Sequence, residues 1–172
     1  DSGVPSEYAE KLASQCKEAH IVTVNQGEQS KSIEVYEKLL KEMLRYNFNR
    51  KDCVVAVGGG VVGDLSGFVA SSFMRGVDFY NIPTTVLSQV DSSIGGKTGV
   101  NLDGVKNIVG AFWQPRGVLI DPDTLGTLPP RLRAEGMAEY VKMALCFDAE
   151  MFEELEREDP WQDTEKAIHN AL

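Results

Sequence analysis

The apolar run Cys53–Val57 leads directly into GGGVVGD at Gly58–Asp64, and this junction restricts the possible folds more than any other feature of the sequence. A short, uninterrupted apolar run is typical of a strand that is buried on both faces, as in a parallel sheet covered by helices. The glycines predict a tight turn into a helix, whose apolar positions run from Leu65 to Phe73 and which ends at Gly76.

Strands and helices alternate on either side of this junction. The sequence predicts two strands after it, at Val77–Pro83 and Gly117–Pro122, and one before it, at His20–Val24. Helices are predicted at Ser6–Glu18 and at Ser32–Phe48, where Ser32 is a suitable N-cap and apolar residues recur every three or four positions. Such alternation indicates an α/β fold with a parallel sheet.

The pattern changes after Pro129 and Pro130. Two helices are predicted beyond them, RLRAEGMAEYVKMAL and the acidic AEMFEELERE, with no further strand. We therefore predict an α/β domain over residues 1–129 and the beginning of a helical domain over residues 130–172.

Composition argues against several classes of protein. The net charge is −9, and residues 148–172 hold nine acidic residues but two basic ones, which argues against nucleic acid as a partner. No apolar run approaches the roughly 18 residues of a membrane span, so we expect a soluble protein that does not enter membranes.

Three widely spaced cysteines without a CxxC motif favour a reduced, cytoplasmic setting. The chain begins without Met or a signal peptide, and we interpret it as a piece of a longer protein.

The glycine junction contains G-x-G-x-x-G as Gly58, Gly60 and Gly63, between a predicted strand and a predicted helix. Without Cβ atoms, its backbone N–H groups can approach a diphosphate, and the helix N-terminus adds partial positive charge. The alternative is a tight turn that simply requires glycine. The sequence leaves both open, because the acidic residue about 20 positions further on in ordinary dinucleotide sites has no clear counterpart here.

Polar side chains are concentrated in VDSSIGGKTGVN, at Val90–Asn101, and in the GVKN that follows. This stretch has neither a helical nor a strand period, so we predict a loop. It is not a P-loop, because Asp91 stands five positions before Gly96, where that motif requires glycine. Single lysines are usually just solvated, but Lys97 and Lys106 in a glycine-rich segment between apolar strands favour an anion-binding site.

The helix that contains AEGMAEYVKMAL places Glu135, Glu139 and Lys142 on one face. An exposed ion-paired stripe would give the same pattern. The alternative is a metal ligand at Glu139 or an anion-binding group at Lys142, and spacing does not choose between them. His20 and His169 are the two histidines and lie far apart, so most ligands of any metal would lie outside this chain.

Six segments occur in order between about Val4 and Glu156: GEQSK, GGGVVGDLSGFVASSFMRG, IPTTVLSQVDSSIGGKTGVN, KNIVGAFWQP, TLPPR and GMAEYVK. Together they resemble the 3-dehydroquinate synthase family, one of the sugar phosphate cyclases. The resemblance implies a Rossmann-like NAD-binding α/β domain with a parallel sheet, followed by an all-helical domain that is truncated here. The chain has DGVKN where the family often has an LGKN-like segment, which alters the expected path of that loop.

The resemblance also implies site residues. Contacts with NAD+ would fall on Glu28, Lys31, Gly59, Gly60, Asp64, Thr84, Thr85, Lys106, Thr124 and Thr127. Substrate would be bound by Asp91, Lys97, Asn107 and Lys142, and by Arg75 reaching into the neighbouring subunit of a homodimer. Glu139 would be the one ligand that this chain supplies to a divalent metal, Zn²⁺ or Co²⁺.

The implied reaction converts 3-deoxy-D-arabino-heptulosonate 7-phosphate to 3-dehydroquinate and phosphate, with NAD+ reduced and reoxidised within one turnover. Three alternatives stay open: a cyclase of another sugar phosphate, a glycerol-type polyol dehydrogenase, and a non-catalytic NAD-binding module. Because the helical domain is incomplete, we expect the 172-residue chain alone to fold in part, to bind NAD weakly and to show no turnover.

Overall fold

The computed structural model describes residues 1–172, apart from the side chain of Trp161. Its parallel sheet has the order β1–β2–β5, formed by β1 (Cys53–Gly58), β2 (Asp78–Pro83) and β5 (Gly117–Val118). The register of β1 on β2 runs from Cys53 opposite Asp78 to Gly58 opposite Pro83. The carboxyl ends of these two strands therefore meet at one edge, and the predicted α/β fold with a parallel sheet is confirmed.

Three helices precede or cover the sheet: α1 (Ser6–Ala13), α2 (Ile33–Arg45) and α3 (Gly60–Ser72). Ser32 caps α2 as predicted, since its side chain accepts a hydrogen bond from the Val35 N–H at 3.4 Å. The first apolar core lies between α2, α3 and the sheet, with Val69, Ala70 and Phe79 at its centre. A short 3₁₀ turn, Phe73–Arg75, then leads to Gly76, whose φ of 124° reverses the chain.

The loop predicted for Val90–Asn101 is confirmed only for residues 93–96. The structure has a π-helical turn at Ser88–Ser92 and then an antiparallel hairpin of β3 (Lys97–Leu102) and β4 (Val105–Phe112). Asp103 and Gly104 join the two strands with φ of 49° and 77°. Two left-handed residues in a two-residue connection match the right-handed twist of paired strands, which is why Asp-Gly closes a hairpin here.

Other predicted elements also differ from the structure, and α2 ends at Arg45 instead of Phe48. His20–Val24 is not a strand: β1 pairs with β2, and the segment packs its Val24 against the first core without a described ladder. The first helix ends at Ala13 instead of Glu18, and β5 stops at Val118. Apolar periodicity predicted burial in these segments, but it does not distinguish a packed extended chain from a strand.

Helices follow Pro129 as predicted: α4 (Pro130–Phe147), α5 (Ala149–Arg157) and an additional α6 (Thr164–Ala171). The last two begin with aspartate caps, where Asp148 accepts from the Met151 N–H and Asp163 from the Lys166 N–H. A second apolar core joins these helices to Val86, Val90 and Leu125, so it contains residues from both sides of position 129. No described helix is long and apolar enough to cross a membrane.

Candidate functional site

The centre of the candidate site is the edge at which β1 and β2 end. The Thr84 N–H donates to the Gly58 carbonyl at 2.9 Å, and this bond holds the turn after β1 against the turn after β2. The hydroxyls of Thr85 and Ser88 lie 2.8 Å apart. Ligands of open parallel sheets bind at such a carboxyl edge, and Gly59, Thr84 and Thr85 lie there.

The glycine turn is tightly enclosed on one side. A Cβ on Gly59 would lie 2.9 Å from Thr85 Cγ2, and a Cβ on Gly60 would lie 2.9 Å from Ser92 Oγ. Gly59 is the N-cap of α3, and no side chain caps that helix. The hydroxyl of Ser92 is buried and has no hydrogen-bond partner among the described residues. The turn therefore offers an uncapped helix N-terminus and a free hydroxyl, which fit an anionic group such as a diphosphate.

Gln89 organises this edge, and the sequence analysis missed it. Its side chain is fully buried, and Nε2 lies 3.0 Å from the Pro83 carbonyl, 2.9 Å from the Asp121 carbonyl and 3.0 Å from Thr124 Oγ1. One amide thus connects the end of β2 to the 3₁₀ turn Pro122–Thr127, which carries Thr124. A lone glutamine among apolar residues gives no sequence signal for this role.

The buried Lys31 ammonium forms an ion pair and hydrogen bond with the Asp64 carboxylate on α3. Burial raises the pKa of Asp64, and the hydrogen bond and charge of Lys31 oppose that rise. Two of the predicted cofactor residues, far apart in sequence, are therefore in contact beside the first turns of α3.

A second connection involves Asn101, which the sequence analysis did not select as a site residue. Its Nδ2 donates to Glu28 Oε1 at 2.8 Å, and its Oδ1 accepts from the Asn107 N–H at 2.8 Å. The side-chain amide of Asn101 therefore connects Glu28, a predicted cofactor residue, with Asn107, a predicted substrate residue.

Among the described residues, Lys97 and Arg75 have neither an ion pair nor a hydrogen bond of their side chains. Lys97 begins β3, Lys106 lies in β4, and Asp91 lies in the π-helical turn; all three are exposed, as is Arg75. Arg75 has a φ of 70° beside Gly76. These side chains are available to an anionic or polyol ligand, and the structure does not bring Arg75 into contact with the others.

The helical side of the site is carried by α4. A Cβ on Gly136 would lie 2.5 Å from Val86 Cβ, so glycine lets α4 pack directly onto the chain after β2. Nearly one turn later, Glu139 forms an ion pair with Lys142, and Arg131 pairs with Glu135 at 3.0 Å. The exposed Thr127 donates to the Thr124 carbonyl at 3.2 Å, at the end of the turn that precedes α4.

The described residues fit a metal only in part. Glu139 can supply one carboxylate, but no group of three His, Cys, Asp or Glu side chains suited to a metal occurs in the described part of the chain. A site for Zn²⁺ normally has at least three protein ligands, so further ligands would have to come from outside these residues.

The sheet, its glycine turn and the following helices are those of a Rossmann-like α/β protein of the sugar phosphate cyclase type. A 2-epi-5-epi-valiolone synthase from Streptomyces hygroscopicus subsp. jinggangensis 5008, solved with NAD+ and Zn²⁺ bound, is 37% identical with a TM-score of 0.82, over 88% of this chain and 43% of that one. A 2-deoxy-scyllo-inosose synthase, solved with carbaglucose-6-phosphate, NAD+ and Co²⁺, is 36% identical with a TM-score of 0.77, over 83% of this chain and 40% of that one.

The chain belongs to the 3-dehydroquinate synthase family. The sequence model of this family, described as 3-dehydroquinate synthase N-terminal, matches residues 21–135. A 3-dehydroquinate synthase from Sulfurimonas denitrificans is 54% identical over 143 residues, which are 83% of this chain and 41% of that protein. The chain thus spans less than half the length of this curated relative.

Proposed function

We propose that the whole protein is a 3-dehydroquinate synthase that converts 3-deoxy-D-arabino-heptulosonate 7-phosphate to 3-dehydroquinate and phosphate. The observation that carries this proposal is the difference in identity: 54% to a 3-dehydroquinate synthase, against 36% and 37% to cyclases of other names. We propose that the 172-residue chain contributes the cofactor residues and part of the substrate and metal residues, and that it has no turnover by itself.

We also propose that the carboxyl edge of the sheet binds NAD+. Its diphosphate would lie at the glycine turn, at the N-terminus of α3, which no side chain caps, and beside the Ser92 hydroxyl, which is free to donate. When bound, NAD+ supplies a hydride acceptor that is regenerated before the product leaves. The residues proposed to hold it are those predicted from the resemblance: Glu28, Lys31, Gly59, Gly60, Asp64, Thr84, Thr85, Lys106, Thr124 and Thr127.

The substrate carries a carboxylate, a phosphate and several hydroxyls, and the proposed substrate residues match these groups in chemistry. Lys97 is exposed and its ammonium can hold an anionic oxygen as charge develops on the departing phosphate. Asp91 and Asn107 can accept from or donate to hydroxyls, which orients the polyol. Lys142 and Arg75 add positive charge, with Arg75 proposed to act across the interface of a homodimer.

We propose that the whole protein also holds a divalent metal, with Glu139 as the ligand from this chain. In the structure the Glu139 carboxylate forms an ion pair with Lys142, so a metal that binds Glu139 would have to break this ion pair. The proposed setting is the cytoplasm, in keeping with a biosynthetic enzyme whose cysteines, Cys16, Cys53 and Cys146, are all free.

The test is phosphate release from 3-deoxy-D-arabino-heptulosonate 7-phosphate by the full-length protein, with and without NAD+ and Zn²⁺. We expect release that needs both, without net formation of NADH. Lys97→Ala should lower kcat/KM by about 10²-fold or more, as expected when a charge-stabilising donor is removed. Lys41→Ala is the matched control, because Lys41 lies on the exposed face of α2 and pairs with Glu37 at 2.7 Å.

Three results would redirect the proposal. Release of phosphate from a different sugar phosphate, but not from this one, would make the protein a cyclase of another substrate. Steady accumulation of NADH would indicate a polyol dehydrogenase, since a cyclase recycles its cofactor. NAD+ binding that is independent of metal, with no turnover of any sugar phosphate, would leave a non-catalytic binding module.

A further inference from the structure

We propose that Asn101 is a positioning residue that fixes the cofactor-binding turn and the substrate-binding strand relative to each other. The inference rests on the proposed function, because it takes Glu28 as a cofactor contact and Asn107 as a substrate contact. Asn101 contacts both Glu28 and Asn107, and it is itself not a proposed contact of the cofactor or of the substrate.

The side-chain amide of Asn101 makes one hydrogen bond to each of these two segments. Asn101 Nδ2 donates to Glu28 Oε1, and Asn101 Oδ1 accepts from the Asn107 N–H, each at 2.8 Å. A primary amide is the side-chain group that offers a donor and an acceptor on one short planar unit. Aspartate keeps the acceptor and loses the donor, whereas alanine loses both, so the two contacts can be separated by substitution.

The hairpin of β3 and β4 is irregular at Asn101. Val100 pairs with Val109 and Leu102 with Val105, so the single residue Asn101 lies opposite the three residues between Val105 and Val109. Lys106 and Asn107 are in this bulge, and Asn107 has a φ of 55°. Bulges re-aim side chains and leave backbone groups outside the ladder. The side-chain oxygen Oδ1 of Asn101 accepts from one of these groups, the Asn107 N–H, and so defines the path of the bulge.

The backbone of Asn101 is also held in place. Its N–H donates to the Lys31 carbonyl at 2.9 Å, and Asn101 forms an isolated parallel bridge with Ser32. Asn101 is therefore anchored to the turn that carries Glu28 and Lys31, independently of its side chain. Substituting the side chain should leave this anchor in place, and should change the position of Glu28 and Asn107 more than the overall fold.

The experiment compares Asn101→Asp and Asn101→Ala in the full-length protein, with Asn49→Ala as a control. The Asn49 side chain also donates to a carboxylate, that of Asp52, but in an exposed loop away from the site. Three quantities are measured: the Kd of NAD+ without substrate, the KM of the substrate at saturating NAD+, and hydrogen exchange of the Asn107 amide without ligands.

We expect Asn101→Asp to weaken NAD+ binding by about tenfold, because its carboxylate repels Glu28 where the amide donated to it. Exchange at Asn107 and the substrate KM should change by less than about twofold, since the acceptor for the Asn107 N–H is retained. Asn101→Ala should raise both the Kd and the KM and should accelerate exchange at Asn107. A purely structural role would not separate the cofactor from the substrate in this way.

A rescue variant tests the contact with Glu28 directly. The amide introduced by Glu28→Gln can donate to the carboxylate introduced by Asn101→Asp, which restores the hydrogen bond in the reverse direction. We expect Asn101→Asp to weaken NAD+ binding several-fold less in the Glu28→Gln background than in the native one. Equal losses in both backgrounds, or variants that match the native protein in all three quantities, would overturn the inference. A full-length protein that does not bind NAD+ would overturn the proposed function, and with it the cofactor half of this inference.

Discussion

At the scale of single residues, Gln89 shows how a buried amide can hold a site together. Its Nε2 lies close to oxygens from β2, Asp121 and Thr124, all within 3.0 Å, and its side chain is inaccessible to solvent. Gln89→Met keeps much of the volume but removes the donor. We expect a loss of about 1–3 kcal/mol in the free energy of unfolding, because the Pro83 carbonyl loses the Gln89 donor, whereas the Asp121 carbonyl still accepts from Thr124.

The matched control for Gln89 is Gln15→Met, since Gln15 is exposed and its Nε2 reaches Ser14 Oγ at 3.3 Å. Urea unfolding should place this variant within about 0.5 kcal/mol of the native protein. Equal effects of the two substitutions would show that the buried amide does not stabilise the edge.

The Lys31–Asp64 pair leads to a prediction about pH. Burial raises the pKa of Asp64, so the folded state binds its proton more tightly than the unfolded state does, and stability decreases as pH rises through the raised pKa. Lys31→Met removes the group that opposes this rise. We expect the pKa of Asp64 to increase further, and the free energy of unfolding to decrease more steeply above about pH 4.

The pH prediction is checked by carboxyl NMR titration and by urea unfolding at a series of pH values. Lys41→Met is the control, because its ion pair with Glu37 is exposed and should contribute little at any pH. A pKa of Asp64 that falls or stays constant after Lys31→Met would contradict the prediction.

At the scale of elements, the sequence predicted the parts of the fold that have a clear period. The strands predicted at Cys53–Val57 and Val77–Pro83 occur as β1 and β2, and the helix predicted between them occurs as α3. The first is marked by an unbroken apolar run, and the second alternates between exposed and buried residues. The hairpin was missed because polar and glycine residues conceal its alternation. Its signal was Asp103-Gly104, the dipeptide that favours a two-residue hairpin turn.

The start of α3 gives a prediction that separates stability from binding. In Gly60→Ala the new Cβ would lie 2.9 Å from Ser92 Oγ and would displace the hydroxyl that is proposed to donate to the diphosphate. Alanine is favoured over glycine within helices by up to about 1 kcal/mol, which offsets the cost of this contact. We therefore expect little change in the free energy of unfolding but NAD+ affinity about tenfold lower, equivalent to about 1.4 kcal/mol.

Calorimetric titration of NAD+ into the full-length variant tests the Gly60 prediction. Gly117→Ala serves as the control, since its Cβ would meet Tyr80 at an ordinary contact distance of 3.5 Å. Unchanged affinity in Gly60→Ala would remove the glycine turn from the proposed cofactor site.

At the scale of the whole molecule, the two apolar cores divide the chain differently from the predicted domains. The first core lies within the α/β region. The second combines Tyr140 and Ile168 of the helices with Val86, Val90 and Leu125, which precede position 129. The sequence locates the change from strands to helices at Pro129 and Pro130, but it cannot show which earlier residues the helices cover, because that depends on contacts between distant segments.

Because the second core is shared, we expect a substitution in α6 to increase local opening of the chain near the candidate site. Ile168 is 3% exposed, and α6 contacts the π-helical turn Ser88–Ser92. Ile168→Ala should lower the free energy of unfolding by about 2–5 kcal/mol and accelerate hydrogen exchange at residues 86–92. Leu145→Ala is the control, since Leu145 is 64% exposed and its loss should matter by less than about 0.5 kcal/mol.

The exchange pattern of Ile168→Ala distinguishes two organisations of the molecule. If exchange accelerates in α4–α6 and also at residues 86–92, the helices and the edge that carries Thr85 and Gln89 form one cooperative unit. The helical region would then stabilise the edge of the sheet by packing against it, in addition to supplying Glu139 and Lys142 as proposed ligand contacts. If exchange accelerates in the helices alone, position 129 separates two independent units, and the contacts of α6 with the turn contribute little to the stability of the edge.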